Sequence, residues 1–233
     1  MFVRDGFRWD SADAYMFDID GTLLNSRDAV HYFAFLTALR EVLSMEATMD
    51  DVPVHGNTDP GILRAVLSRH GMSDGEIDAH LPRMVERMCA EVTTNSAALR
   101  PEVCPSILQL LTHLRGRGKL LGVASGNLAA IGWLKLEKAG LRSLMSFASF
   151  SYPRELRSEI FREGVNEARK ALGAEVKVCV VGDTPSDVAA AISLGLPVIA
   201  LATGVYEFQQ LLACAPDACF ACGTDLMEFG QKL

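Results

Sequence analysis

No stretch of this sequence stays apolar for long enough to cross a bilayer. The longest such run, from about Leu196 to Val205, falls well short of the ~20 residues a spanning helix needs. The opening MFVRDGFRWD lacks the continuous apolar centre of a secretory leader, so a soluble, cytoplasmic protein without a membrane partner is expected. Basic clusters are missing too. With a formal net charge of -7, the surface would repel a phosphate backbone, and nucleic acid is not an expected partner. Cysteine is too sparse for a disulfide scaffold, and Cys179 falls inside an apolar strand-like run where a small buried hydrophobe is wanted. Cys219 and Cys222, with Cys214 nearby, lack the second ligand pair or histidine partner that a structural zinc site needs. Internal repeats and low-complexity tracts are absent as well. Nothing in the sequence fixes an oligomeric state.

What is present describes a well-buried globular protein: 49% of residues are hydrophobic and 22% charged. Short apolar runs alternate with longer amphipathic ones, as AYMFDID, KLLGVAS, SFASF, VKVCVVGD and PVIALAT, with helical patterns between them and a final helix after the last. That alternation predicts an α/β fold, a parallel sheet with helices on both faces. The stretch 25–100 departs from it, holding three helix-like patterns and no convincing strand. It predicts an all-helical insertion, with residues 1–24 and 101–233 forming the core. Asp59-Pro60 suits an N-cap and first helical position, His70-Gly71 suits a helix end, and Arg100-Pro101 and Cys104-Pro105 suit a return hinge.

In an open parallel sheet, ligands bind outside the carboxyl ends of the strands, where strand order reverses. Those ends read Phe17-Asp18-Ile19-Asp20-Gly21-Thr22, Ala124-Ser125-Gly126-Asn127 and Gly182-Asp183-Thr184-Pro185-Ser186-Asp187. Asp18, Asp20 and Asp183 at one edge would repel one another unless a divalent cation lay among them, and hard oxygen ligands favour Mg²⁺. Asp18, ending an apolar run, is placed to attack phosphorus in line. Asp20, two residues on, is placed to protonate the leaving oxygen and then activate water. Gly21 permits a tight turn. Ser125, Gly126 and Asn127, read as preceding a helix, offer a hydroxyl and amides for a phosphate. Each motif alone also has an ordinary reading: turns for Asp18 and Ser125-Gly126-Asn127, a helix start for Asp183 and Asp187. Their conjunction at successive strand ends points to one mechanism.

FDIDGTLL, VASGN and VVGDTPSD resemble motifs one, two and four of the haloacid dehalogenase superfamily. The likeness runs through essentially the whole chain, and the helical insertion is similar to the cap of the phosphoglycolate phosphatase subgroup. The resemblance implies a Rossmann-like core with a mobile helical lid and a phosphatase acting on a small phosphorylated metabolite. It makes Asp18 the nucleophile and Asp20 the acid/base. Mg²⁺ would be bound by the Asp18 and Asp183 carboxylates and the Asp20 backbone carbonyl, Ser125 and Gly126 would hold the phosphoryl group, and Asp187 would have a supporting role. Motif three is the departure: its lysine is missing, since no lysine lies between Lys138 and Lys170. Arg157, in SYPRELRSEIF, is the expected substitute, with Arg154 behind it; arginine keeps the charge and grips phosphate bidentately. The acid/base position of Asp20 argues against the dehalogenase branch. A phosphosugar mutase and a non-catalytic binding module remain as alternatives. His55-Gly56-Asn57-Thr58-Asp59 is the stretch of the insertion expected to reach the site or simply to cap a helix.

Overall fold

The computed structural model describes residues 1–50 and 52–231. Among the described residues there are nine strands: β1 (Phe2–Val3), β2 (Ala14–Phe17), β3 (Leu24–Ser26), β4 (Pro101–Val103), β5 (Leu120–Leu128), β6 (Phe147–Ser151), β7 (Val178–Gly182), β8 (Val198–Leu201) and β9 (Ala218–Phe220). Seven of them form one sheet in the order β1-β9-β8-β7-β2-β5-β6, parallel except for the edge pair β1 and β9. The helices are α1 (Val30–Leu43), α2 (Asp59–Arg69), α3 (Asp74–Thr94), α4 (Ile107–Gly116), α5 (Ala129–Lys138), α6 (Arg157–Leu172), α7 (Pro185–Ser193), α8 (Phe208–Leu212) and α9 (Gly223–Gln231).

The central strands are apolar at every position because both faces of the sheet are covered. Side chains alternate across it. Tyr15, Phe17, Cys179, Val181, Ile199 and Leu201 enter one hydrophobic cluster, while Ala14, Met16, Val178, Val180, Val198 and Ala200 enter the other. Burying a side chain such as Phe17 contributes roughly 1.5–3 kcal/mol. Phe17 is the last residue of β2 and Val181 the last but one of β7, and this burial helps to hold a site whose like charges destabilise it.

The three helices expected between residues 25 and 100 are α1, α2 and α3. The 21-residue α3 starts at a Ser73/Glu76 capping box and presents Ile77, Leu81, Met84, Met88 and Val92 as one buried stripe. That stripe packs in a third cluster with α1 and α2, and the cluster takes in Leu128 and Ile131 of β5 and α5. At the two ends of the helical stretch, β3 and β4 pair antiparallel, Leu24 opposite Val103.

Three local expectations are corrected. The N-cap of α2 is Thr58, whose hydroxyl accepts from the Gly61 amide, and Asp59-Pro60 are its first two helical residues. Ser125–Asn127 lie within β5, at an irregularity in its pairing with β6, and α5 starts only at Ala129. The expected single final helix is instead helix, strand and helix: β9 is only three residues long, too short for a periodicity to betray it, and extends the sheet beyond β8.

Candidate active site

Sequence order runs from β2 outward to β5 and β6, then returns to the other side of β2 through β7, so the strand order reverses at β2. The amide of Asp18 donates to the Val181 carbonyl at 2.9 Å, which continues the ladder one step past β2 and sets Asp18 beside the end of β7, where Asp183 follows. Gly21 then turns the chain at a φ of +88°, a conformation glycine adopts without strain. A side chain at Gly21 would overlap the Asp183 carboxylate, and so would one at Gly204. Gly204 was not among the expected site residues; a glycine shortly after the PVIALAT strand was the available signal.

Asp18, Asp183 and Asp187 are all buried, and one carboxylate oxygen of each lies within 4.8 Å of the others. Arg157, at the start of α6, is the cation among them: its guanidinium is 3.2 Å from Asp18 Oδ1 and 2.8 Å from Asp187 Oδ1. It is therefore in contact with the carboxylate expected to act as nucleophile. Arg154 instead pairs with Glu163 at 3.5 Å. Asp187 is also the third residue of α7, where its Oδ2 accepts from the Thr184 amide at 3.0 Å and hydroxyl at 2.7 Å. Asp187 thus starts a helix and also lies beside Asp18, Asp183 and Arg157. Asp183 Oδ1 accepts from the Thr22 hydroxyl at 2.7 Å.

One guanidinium does not offset three buried carboxylates. Burial raises the pKa of Asp18, Arg157 lowers it, and Asp187 and Asp20 push it up again, for a net rise. Asp183 is raised well above the usual carboxylate range by burial and by repulsion from Asp18 and Asp187. Asp18 Oδ1, though buried, has the Arg157 ion pair but no well-aligned hydrogen bond. An all-oxygen donor set and an excess of buried negative charge together fit a hard divalent cation such as Mg²⁺. Each of the three carboxylates has a contact of its own, Asp18 and Asp187 with Arg157 and Asp183 with Thr22, and one oxygen of each remains close enough to the others to share an ion.

Asp20 is surrounded differently. Lys135 Nζ donates to its Oδ2 at 2.7 Å and Asn127 Nδ2 donates to the same oxygen at 2.8 Å. Burial opposes the Asp20 charge, but the Lys135 ammonium and these hydrogen bonds outweigh it and hold the carboxyl below its usual range. Lys135 is buried within α5 and also donates to Asn127 Oδ1 at 2.9 Å. From there a polar chain leads into the inserted helices. Lys135 Nζ is 3.1 Å from His31 Nδ1, His31 Nε2 is 3.1 Å from Asp59 Oδ2, and that oxygen accepts the Leu128 amide at 2.7 Å. Sequence reasoning missed Lys135 and His31. The available signal for Lys135 was a lysine four residues after Ile131, on the apolar stripe of an amphipathic helix.

Ser125 Oγ accepts from the Asn127 side-chain amide at 2.8 Å and its backbone amide at 3.3 Å, which leaves the hydroxyl hydrogen to donate elsewhere. At Gly126 a side chain would strike the Asn57 carbonyl, so the loop before α2 lies against this turn. The expected stretch His55–Asp59 thus reaches the site and caps a helix as well. Asp18, Asp20, Ser125, Gly126, Arg157 and Asp183 all line one cavity of about 560 Å³, closed on the other side by residues of α1, α2 and the loop between them.

A profile of the haloacid dehalogenase-like hydrolases matches residues 12–195. A phosphoglycolate phosphatase of Synechococcus elongatus is 29% identical over 94% of this chain and 98% of its own length. A protein of Dickeya dadantii named "Probable phosphatase IndB" is 30% identical over 86% of each chain. The crystal structure of CbbY from Rhodobacter sphaeroides in complex with phosphate shares the fold, at a TM-score of 0.69 and 19% identity over 92% of this chain and 96% of that one. With the profile spanning most of its length, the chain belongs to the haloacid dehalogenase-like hydrolase family and is an enzyme.

Proposed function

We propose that the enzyme hydrolyses a small phosphomonoester by transferring its phosphoryl group to Asp18 and then to water. The observation that carries this reading is the meeting of Asp18, Asp183, Asp187 and Arg157 at the reversal point of the sheet, with Asp20 held separately by Lys135.

Asp18 would attack phosphorus through a carboxylate oxygen, breaking the bond to the leaving alcohol oxygen and forming an aspartyl phosphate. Arg157, fixed between Asp18 and Asp187, would offer its remaining N–H groups to the phosphoryl oxygens as charge develops on them. Ser125 would donate its free hydroxyl hydrogen there, beside the Gly126 amide. Mg²⁺, held by the carboxylates of Asp18 and Asp183 and the backbone carbonyl of Asp20, would supply the positive charge that lets an anionic nucleophile meet an anionic phosphoryl group.

Asp20 serves both half-reactions in this scheme. The resting carboxylate stabilised by Lys135 is the base form that the water step needs. Arrival of a phosphate dianion opposes that negative charge and raises the proton affinity of Asp20, which favours its use as the acid in the first step. Lys135 and Asn127 fix its orientation throughout and are positioning residues. The non-catalytic reading drew its support from the missing lysine, and the ion pair of Arg157 with Asp18 favours catalysis over that reading.

The test is phosphate release from simple phosphomonoesters in the presence of Mg²⁺. Release that is abolished in Asp18→Asn and by EDTA supports the scheme. Release that survives in Asp18→Asn would refute the assigned nucleophile.

A further inference from the structure

Relatives of this chain include a phosphatase named for phosphoglycolate, whose leaving group carries a carboxylate. The cavity beyond Asp18 is poorly made for such an anion. Its volume, about 560 Å³, lies within the range of roughly 300–1,000 Å³ that houses drug-sized ligands. Two cations line it, and each has a partner: Lys135 is bonded to Asp20, and Arg157 is paired with Asp18 and Asp187. No lysine or arginine of α1, α2 or the loop between them is among the described lining residues. The imidazole of His31 is engaged by Lys135 and Asp59, while Asp50 adds an exposed negative charge to that wall.

What the wall does offer is apolar surface from Tyr32, Phe35, Met49, Val54 and Ile62. Phe35 is buried and stacked on His31 with ring centroids 5.2 Å apart, so its position is fixed, whereas Tyr32 is 41% exposed at the cavity rim. An anionic leaving group would give up its water there without meeting a lysine or arginine that lacks a partner, the exposed imidazole of His55 being the further basic group among the described lining residues, and a flat apolar one would bury against this wall.

We infer that the preferred substrate is a phosphomonoester of an uncharged arylalkyl alcohol, not of a short hydroxy acid. The inference rests on the phosphatase reading and adds to it the chemistry of the leaving group. The same lack of a second anion site disfavours a bisphosphate, which a mutase would need to accommodate.

The experiment compares kcat/KM for 2-phenylethyl phosphate, ethyl phosphate and 2-phosphoglycolate with Mg²⁺ present. All three release an aliphatic alcohol, so the comparison reads recognition of the leaving group. Wild-type enzyme is expected to prefer 2-phenylethyl phosphate over 2-phosphoglycolate by about 10-fold or more, within the range hydrophobic pockets achieve. Tyr32→Ala, at a half-exposed position that does not threaten folding, is expected to reduce that ratio by about 5-fold through a higher KM for the aryl ester. Preference for 2-phosphoglycolate would overturn the inference and leave the phosphatase reading intact. A ratio unchanged in Tyr32→Ala would overturn the assignment of the wall. No release from any of the three would sink the phosphatase reading and the inference with it.

Discussion

Asp18 and Asp20 are separated by one residue in the chain and sit in opposite electrostatic surroundings. On the Asp18 side, three buried carboxylates share one guanidinium, and the proton affinities of Asp18 and Asp183 rise. On the Asp20 side, one carboxylate accepts from an ammonium and an amide, with no second carboxylate bonded to that ammonium, and its proton affinity falls. The first arrangement is incomplete by charge and the second is complete. The difference teaches that a two-residue step past a strand end is enough to divide the labour of a site. One carboxylate faces the open switch point of the sheet, where an incoming cation and phosphoryl group supply what is missing. The other faces α5, whose lysine is already in place.

That contrast can be broken at either end. Asp18→Asn removes the proposed nucleophile and is expected to lower kcat/KM by about 10⁴-fold or more, read by phosphate release under saturating Mg²⁺. Arg157→Ala removes the only described cation of the Asp18 side and is expected to cost about 10²- to 10³-fold, with Arg157→Lys recovering part of the loss because charge is restored without the fork. On the Asp20 side, Lys135→Met is expected to lower kcat by about 10- to 100-fold with little change in KM, since the acid/base would be released without loss of substrate contacts. A larger loss than that of Arg157→Ala would invert the comparison. Arg154→Ala, which breaks only the half-exposed pair with Glu163, is expected to stay within about 2-fold of wild type in the same assay. Equal losses in Arg154→Ala and Arg157→Ala would show that Arg157 has no special place beside Asp18.

The readable and unreadable parts of this molecule divide along physical lines. β2, β7 and β8 were legible because a strand covered on both faces must be apolar at every position, and AYMF, VCVV and VIAL are. Asp18 and Asp183 followed from that, since the sheet's reversal point collects whatever stands at those ends. Arg157 was legible as the filler of a vacancy. Lys135 was not, because its meeting with Asp20 depends on which way α5 rotates when Ile131 and Leu136 are buried, and a single lysine on a helix ordinarily reads as solvated. His31 and Asp59 were hidden for a similar reason: their partners come from elements about 30 to 100 residues away in the chain. The Ser125–Asn127 turn was placed at a helix start because a bulged strand end and a helix entry share the same small polar residues.

The charge deficit beside Asp18 is the centre of this account, and calorimetric titration of Mg²⁺ into the wild-type protein and into Asp183→Asn and Arg154→Ala, each first checked for native circular dichroism, tests it most directly. The account predicts one Mg²⁺ bound by the wild type and by Arg154→Ala, with affinity lost or reduced by at least about 10-fold in Asp183→Asn. Undiminished binding in Asp183→Asn, or no binding in the wild type, would contradict it.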